Sequence, residues 1–424
     1  MAGPAARSGG DYSRSVPGES FNLKSIAVGA YGPSLLYGIA TGAILPVIAL
    51  SARSLGADLA TAALVITLTG FGSLIANVPA TLIATRFGER RALVGASLWC
   101  STAMVLGLIA PNLTVFAAAI FMVGMAGAVF GLARQSYLTE AVPVHFRARA
   151  LSTLGGVTRI GVFLGPFAAA LAMSVAGLAG AYWVGAGASL AAAALSSRVP
   201  ELGASRRLAM TGPLGIDGAM APPPPAPTVR SILRSHRRVF ATVGVGVLLI
   251  AAIRSSRQAV LPLWAQDIGL DVTTTALIYG LSGAIDMLIF YPAGRLMDFW
   301  GRRWIAVPCM LIMGVALIVL PFTADAVGLL LVALLIGFGN GIGSGIVMTL
   351  GADFSPSPGR PQFLGIWRLL SDIGTMTGPG LLAAVTAIAT LSAGIWATGG
   401  LGLVAAAVLW FWIPPHRATS IART

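Results

Sequence analysis

Charge is what this sequence has least of. Charged residues fill 10% of its 424 positions, while 56% are hydrophobic. A soluble domain carries about 25% charged residues. The deficit excludes an ordinary soluble globular chain and points to an integral membrane protein. Lysine is almost missing: Lys24 stands alone. A phosphate-binding loop needs a lysine before Ser or Thr in a glycine-rich turn. Lys24 precedes Ser25 but follows "SFNL", so ATP-driven pumping by this chain is excluded. The three histidines (His145, His236, His416) lie in polar linkers, so no metal site is expected. Cys100 and Cys309 sit far apart in apolar segments and imply no disulfide framework. With no intramembrane histidine, no cysteine–histidine pair and no nucleophile elbow, neither an enzyme nor a cofactor is expected. The net charge of +13 would suggest nucleic acid in a soluble protein. Here loop arginine reports topology instead, and no nucleic-acid partner is expected.

What the chain does have is long apolar runs. Stretches long enough to span a bilayer are 26–50, 61–84, 92–110, 113–136, 150–173 and 177–196, then 239–263, 273–293, 304–321, 326–350, 362–388 and 391–413. The expected fold is an all-α membrane protein with about twelve transmembrane helices in two six-helix pseudo-symmetric bundles. The short alternating strands of a β-barrel are absent from the pattern. The run from Ile26 to Leu50 is too long for the apolar part of a cleavable signal. The expected division is an N-terminal tail (1–25), a first bundle (26–196), a linker (197–238), a second bundle (239–413) and a C-terminal tail (414–424). The linker contains "APPPPAP" and the arginines at 206, 207, 230, 234, 237 and 238, and cannot bury a core. If the N-terminus is cytoplasmic, inside loops carry Arg86, Arg90, Arg91, Arg147, Arg149, Arg295, Arg302, Arg303, Arg360 and the linker arginines. Outside loops carry Arg53 and the acids Asp58, Asp267, Asp271 and Asp325. That asymmetry predicts both termini inside the plasma (inner) membrane.

The two halves repeat. Gly88 and Gly301 stand 213 positions apart, and the same offset links Gly70 to Gly283, Pro79 to Pro292, Arg90 to Arg303, Gly124 to Gly337 and Arg147 to Arg360. It also links Gly161 to Gly374, Gly165 to Gly378 and Pro166 to Pro379. Six plus six helices of the same orientation form a parallel repeat about the membrane normal, a symmetry used by transporters that rock one half against the other.

Between the eighth and ninth spans stands "GRLMDFWGRR". Its Gly294, Leu296, Asp298, Gly301, Arg302 and Arg303 resemble the cytoplasmic-loop signature of the major facilitator superfamily. The equivalent first-half loop, "TLIATRFGERR", keeps Arg86, Gly88 and Arg90 but has Thr85 for the aspartate, Thr81 for the glycine and Glu89 for a basic residue. In the fifth span, "GVFLGPFAA" supplies Gly161, Gly165 and Pro166, and resembles the antiporter signature of the twelve-helix drug:proton branch. Ala169 and Ala170 replace its last two glycines. Gly374, Gly378 and Pro379 repeat the pattern in the eleventh span. Gly-xxx-Gly brings helices close, and the prolines permit kinks. One departure counts against a standard proton antiporter: Ile120 stands where the fourth span of that branch carries arginine. The resemblance implies gate loops that lock the two halves, a cavity between them, a small-molecule substrate, proton coupling and function as a monomer in the lipid bilayer.

Ionisable groups inside spans are costly and are functional candidates by default. They are Arg159, Arg254, Arg257, Asp286, Arg368 and Asp372. Arg134 lies near a span end and is expected to snorkel, as Arg257 and Gln258 could. At 1.5 Å per residue, Arg159, Asp286 and Asp372 lie roughly 11–15 Å from the inner ends of their spans. The family's fold sets span five against span eight and span two against span eleven. The resemblance therefore implies a bridge from Arg159 to Asp286, and Asp372 facing Ser73 and Asn77. Arg368, one turn from Asp372, is expected to temper its cost. A pair made and broken by rocking changes proton affinity with conformation; a static pair would only fix packing. Cavity candidates are Arg254, Arg257, Gln258, Asn340, Tyr31 and Tyr37. Trp264 and Trp304 read as interface anchors. The leading expectation is proton-coupled efflux of a small drug-like or amphipathic compound. The alternative is proton-coupled uptake of a small anionic nutrient or metabolite, gripped by paired arginines.

Overall fold

The structure is a computed structural model that describes residues 29, 31–142, 147–200, 228–356 and 359–414. The N-terminal tail, the histidines at 145 and 416, and most of the expected linker lie outside the described residues. So do the side chains of Arg147, Arg149, Gly294 and Asp298.

Among the described residues the regular structure is helical. The first half comprises α1 (Gly32–Ile44), α2 (Ile48–Ser54), α3 (Leu59–Phe87), α4 (Glu89–Leu108), α5 (Leu113–Ala141), α6 (Arg147–Ala176) and α7 (Leu178–Ser196). The second comprises α8 (Val229–Ser235), α9 (Arg237–Val239), a π-helical turn (Phe240–Gly244), α10 (Val245–Asp267), α11 (Val272–Trp300), α12 (Arg303–Val319), α13 (Ala326–Ile342), α14 (Ile346–Phe354), α15 (Arg360–Ile388) and α16 (Leu391–Trp412). Among the described residues ten helices are long and apolar enough to cross a membrane, or eleven with the bent pair α1–α2 taken as one span. Helix α15 has the length, at 29 residues, but carries Arg368 and Asp372 and is not among these; counting it would give the expected twelve. Helices such as α3 are apolar on every face, because one side meets lipid and the other a neighbouring helix.

The first span is not the single helix that its composition suggests. Pro46 removes a backbone donor and clashes with the preceding turn, so the helix breaks after Ile44 and bends by 41° into α2. The repeat-mate of Pro46 is Ala259, and α10 runs through that position unbroken. Trp264, read as an interface anchor, is instead buried, and its indole Nε1 donates to Thr323 Oγ1 at 2.9 Å.

The 213-residue repeat is also a repeat of contacts. Helix α1 packs on α6 as α10 packs on α15; α3 on α5 as α11 on α13; α4 on α7 as α12 on α16. A Cβ on Gly161 would meet the carbonyl of Leu35, and one on Gly374 that of Leu248. Gly124 faces Thr69 as Gly337 faces Ser282, and Gly165 faces Ile39 as Gly378 faces Ala252. Each contacted residue is displaced by the same 213 positions as its glycine. Backbones touch at these points, so the small residues set the helix spacing.

The acids assigned to outside loops have a second role. Asp58 accepts from Thr61 N at 2.7 Å and caps α3; its repeat-mate Asp271 accepts from Thr273 N and Thr274 N and caps α11. Asn112 and its mate Asp325 cap α5 and α13. A side-chain oxygen satisfies otherwise orphaned N–H groups and complements the positive end of the helix. The hydroxyl and N–H groups of Thr274 and Thr61 hold both aspartates below the ordinary carboxylate range. A depressed folded-state value means the cap stabilises above the unfolded pKa and is lost as pH falls through the folded one. Asp271→Ala is therefore expected to cost about 0.5–2 kcal/mol at neutral pH. The difference from the parent should vanish once pH drops well below about 3.9. Thermal unfolding in detergent at several pH values measures this.

Candidate functional site

Two seams join the halves: α6 against α11, and α3 against α15. Both carry intramembrane charge.

At the first seam, Asp286 of α11 gathers its partners from three other helices. Arg159 Nη1 of α6 lies 3.5 Å from Oδ1, and Arg257 Nη2 of α10 lies 3.6 Å from Oδ2. Asn340 of α13 donates from Nδ2 to Oδ2 at 2.6 Å. The expected bridge between halves is thus present in the geometry, and Arg257 joins it instead of snorkelling. Arg159 also lies over the Phe290 ring at 4.4 Å, and Arg257 over Tyr279 at 5.8 Å. A cation over a ring face is attracted by its quadrupole, which orients the guanidinium without using its N–H donors. Arg254 stands behind this cluster and donates to the Asn340 carbonyl at 3.1 Å. Its role here is to hold α13 against α10, not to line the described cavity.

Arg134 departs from the sequence expectation. It does not snorkel; its Nη1 donates to Thr158 Oγ1 of α6 at 2.5 Å, and it lines a cavity with Arg159, Arg257 and Asp286. The all-round apolarity of α5 gives no sign of which way this arginine faces.

At the second seam, Asp372 of α15 accepts a hydrogen bond from Asn77 Nδ2 of α3 at 2.6 Å. It shares a cavity of about 240 Å³ with Thr41, Ser73, Gln258 and Thr375. The expected help from Arg368 comes through its charge and not through a direct pair: it acts on the Asp372 carboxylate from one turn away, but no ion pair within 4.0 Å links the two. Asn77 fills the direct partner position. The two seams correspond by the repeat: Arg159 meets Phe290 where Asp372 meets Asn77, and both residues shift by 213 positions.

The two tyrosine candidates are corrected. Tyr37 is 5% exposed and stacks on Phe130, with centroids 4.0 Å apart. Tyr31 lies at the start of the first span, in a small apolar cluster with Tyr137 and Val142.

The two repeat-related loops expected to act as gates turn on glycine. Gly88 and Gly301 have φ of +87° and +94°, a region closed to most side chains, so each chain reverses within one residue between helices. Beyond Gly301, Arg302 Nε bonds Asp353 Oδ2 of α14 at 2.9 Å, and Arg303 stacks over Trp410 at 3.7 Å. In the first half Arg86 is exposed, Arg90 is half-buried, and Glu89 replaces the cation: it accepts from Ser136 Oγ at 3.0 Å. The two loops have opposite charge at one position and different partners. Pro166 and Pro379 lie inside α6 and α15, beside the close approaches at Gly165 and Gly378.

Among the described residues no group of His, Cys, Asp and Glu could hold a metal ion.

Known proteins share this architecture. A peptide-family (POT) transporter bound to a thioalcohol-conjugated peptide superposes with TM-score 0.73 at 11% identity, covering 92% of this chain and 96% of that one. The inward-open xylose transporter XylE of E. coli gives 0.70 at 16% identity, covering 94% and 98%. Both likenesses speak for the fold alone. In sequence, the multidrug resistance protein MdtG of Salmonella typhimurium is 26% identical over 391 residues, 88% of this chain and 92% of that protein. The profile of the Major Facilitator Superfamily matches residues 34–290 and 243–423. A multi-pass helical chain with paired seams, repeated glycine turns and that match belongs to the Major Facilitator Superfamily.

Proposed function

We propose that this chain is a proton-coupled exporter of small molecules in the plasma membrane, with both termini cytoplasmic, and that Asp372 takes the proton. The observation that carries this reading is the contrast between the two acids. Asp286 is ringed by arginines, whereas Asp372 has an amide partner, a cavity beside it and no arginine within 4.0 Å. A carboxylate in a fixed ion pair keeps its charge; one held by a neutral amide at a moving seam can exchange a proton when the seam opens. Proton and cargo in separate pockets are coupled through the conformational equilibrium, because each ligand shifts it by its differential affinity for the two states. Export is supported by the multidrug resistance relative and by Gly161-xxx-Gly165-Pro166 in α6. Arginine asymmetry supports the orientation. A second reading, uptake of a small anion, is favoured by the surplus of arginine around Asp286.

Everted membrane vesicles test the reading. An imposed pH gradient, acid inside, should drive accumulation of at least one member of a panel of amphipathic compounds, and a protonophore should abolish it. Accumulation under the opposite gradient favours uptake. Transport that ignores the gradient overturns proton coupling.

A further inference from the structure

We propose that the cavity between Arg134, Arg159, Arg257 and Asp286 holds the anionic head of an amphipathic substrate, a carboxylate or phosphonate on an apolar body. The inference rests on the chain being a transporter, and not on which ion drives it.

Charge is the first argument. Three guanidiniums and one carboxylate line this cavity, about 350 Å³ in volume, and Asp286 pairs with two of them, Arg159 and Arg257, while Arg134 bonds Thr158. Two positive charges are left over at membrane depth, where an uncompensated charge is strongly disfavoured. An anionic ligand removes part of that excess.

The second argument is the state of the donors. Charge-assisted N–H···O bonds close to about 2.7–2.9 Å. Here the arginine–carboxylate distances are 3.5 and 3.6 Å. Arg159 and Arg257 also lie over the ring faces of Phe290 and Tyr279, and the Arg159 contact to the Ser344 carbonyl is itself long at 3.5 Å, so neither guanidinium makes a short bond to an oxygen of Asp286 or Ser344. Tyr279 lines the same cavity with its hydroxyl buried beside the Arg257 guanidinium, a group that can only donate. The tyrosine O–H is thus left as a further donor for an anionic oxygen. The cluster is a set of donors drawn loosely around one acceptor.

The third argument is the rest of the wall. Val162, Phe163, Pro166 and Met287 give the cavity an apolar side. Small-molecule sites combine such walls with a few convergent polar groups. Because the walls come from α6 and α11, a bound ligand touches both halves and reads their relative position.

Equilibrium binding to the purified protein, with no gradient, tests this. The probes are 4-phenylbutyrate and 3-phenylpropylphosphonate, with 4-phenylbutanamide and 4-phenylbutylamine as neutral and cationic counterparts. Intrinsic tryptophan fluorescence in detergent and in phosphatidylcholine nanodiscs is the readout. The anions should bind at least about tenfold tighter than amide or amine. Arg257→Gln and Arg134→Gln should each weaken anion binding by about tenfold, Arg159→Lys should weaken it less, and surface Arg234→Gln should leave it unchanged. Equal affinity for the amide in the parent protein overturns the proposal without any variant. So does anion binding that survives Arg257→Gln. If phosphatidylglycerol in the nanodisc abolishes binding of both anions, the site belongs to a lipid headgroup and the substrate assignment is wrong. Failure of proton-driven transport leaves these affinities untouched, so the two readings fail separately.

Discussion

Proton-driven transport is expected to fall by roughly 5–150-fold in Asp372→Asn, the range that a coupling free energy of about 1–3 kcal/mol spans. Folding and downhill exchange of substrate should persist. The carboxamide has the shape of the carboxyl and retains an oxygen to accept from Asn77, now 2.6 Å from the carboxylate. What it lacks is a second charge state. The two conformations then lose the proton as a discriminating ligand, and an imposed gradient has nothing to act on. Asp286→Asn should behave differently. It leaves Arg159 and Arg257 without their common carboxylate, and removing one partner of a buried pair typically costs about 3–5 kcal/mol. Its expected signature is low yield and a lowered unfolding temperature. Rates in proteoliposomes, read beside the amount of folded protein, separate the two. Equal loss of gradient-driven and downhill transport in Asp372→Asn would remove the coupling role.

The second large effect concerns packing. Gly378→Leu should abolish accumulation of folded protein. A Cβ at this position would meet the Ala252 carbonyl and the Ser256 hydroxyl of α10. Overpacking a core usually costs about 1–3 kcal/mol, and more where the neighbour is backbone that cannot rotate away. The helices must separate, and the seam against α3 moves with α15. Gly165→Leu, its repeat-mate, should fail in the same way against α1. Gly400→Ala in α16 is the contrast: its Cβ has open space within 4 Å. It should be neutral or gain about 0.5–1 kcal/mol from the reduced freedom of the unfolded chain. Fluorescence-detected size-exclusion of the three variants gives the answer.

Much of this architecture is legible in the sequence because lipid enforces it. Spans must be apolar for about 20 residues, so their positions follow from composition. The repeat was visible as an offset in glycines and prolines, since those residues mark backbone contacts that both halves need. The Arg159–Asp286 and Asn77–Asp372 contacts followed once that offset was combined with the seams of the resembled family. The misses have local causes. Pro46 stands in the first span, yet a hydropathy window passes over a proline among apolar residues and does not show the break. The caps at Asp58 and Asp271 share the 213 offset, but a polar loop residue looks alike whether it meets solvent or a helix end. Rotation about the helix axis was the harder loss. Arg134 faces inward and Tyr37 stacks on Phe130 through packing choices that helices apolar on all faces do not encode.

The central claim is that a proton on Asp372 biases which of two states the halves adopt, and it can be measured without knowing the substrate. Spin labels at Arg86→Cys and Arg295→Cys, exposed positions toward the C-terminal ends of α3 and α11, report the separation of the halves by double electron–electron resonance. The background carries Cys100→Ala and Cys309→Ala. The account predicts two distance populations whose ratio shifts as pH is taken from about 5 to about 9, a range that brackets ordinary proton-coupling conditions. In Asp372→Asn the ratio should be fixed at the acid-side value. A ratio that ignores pH in the parent protein, or that shifts equally in the variant, contradicts the account.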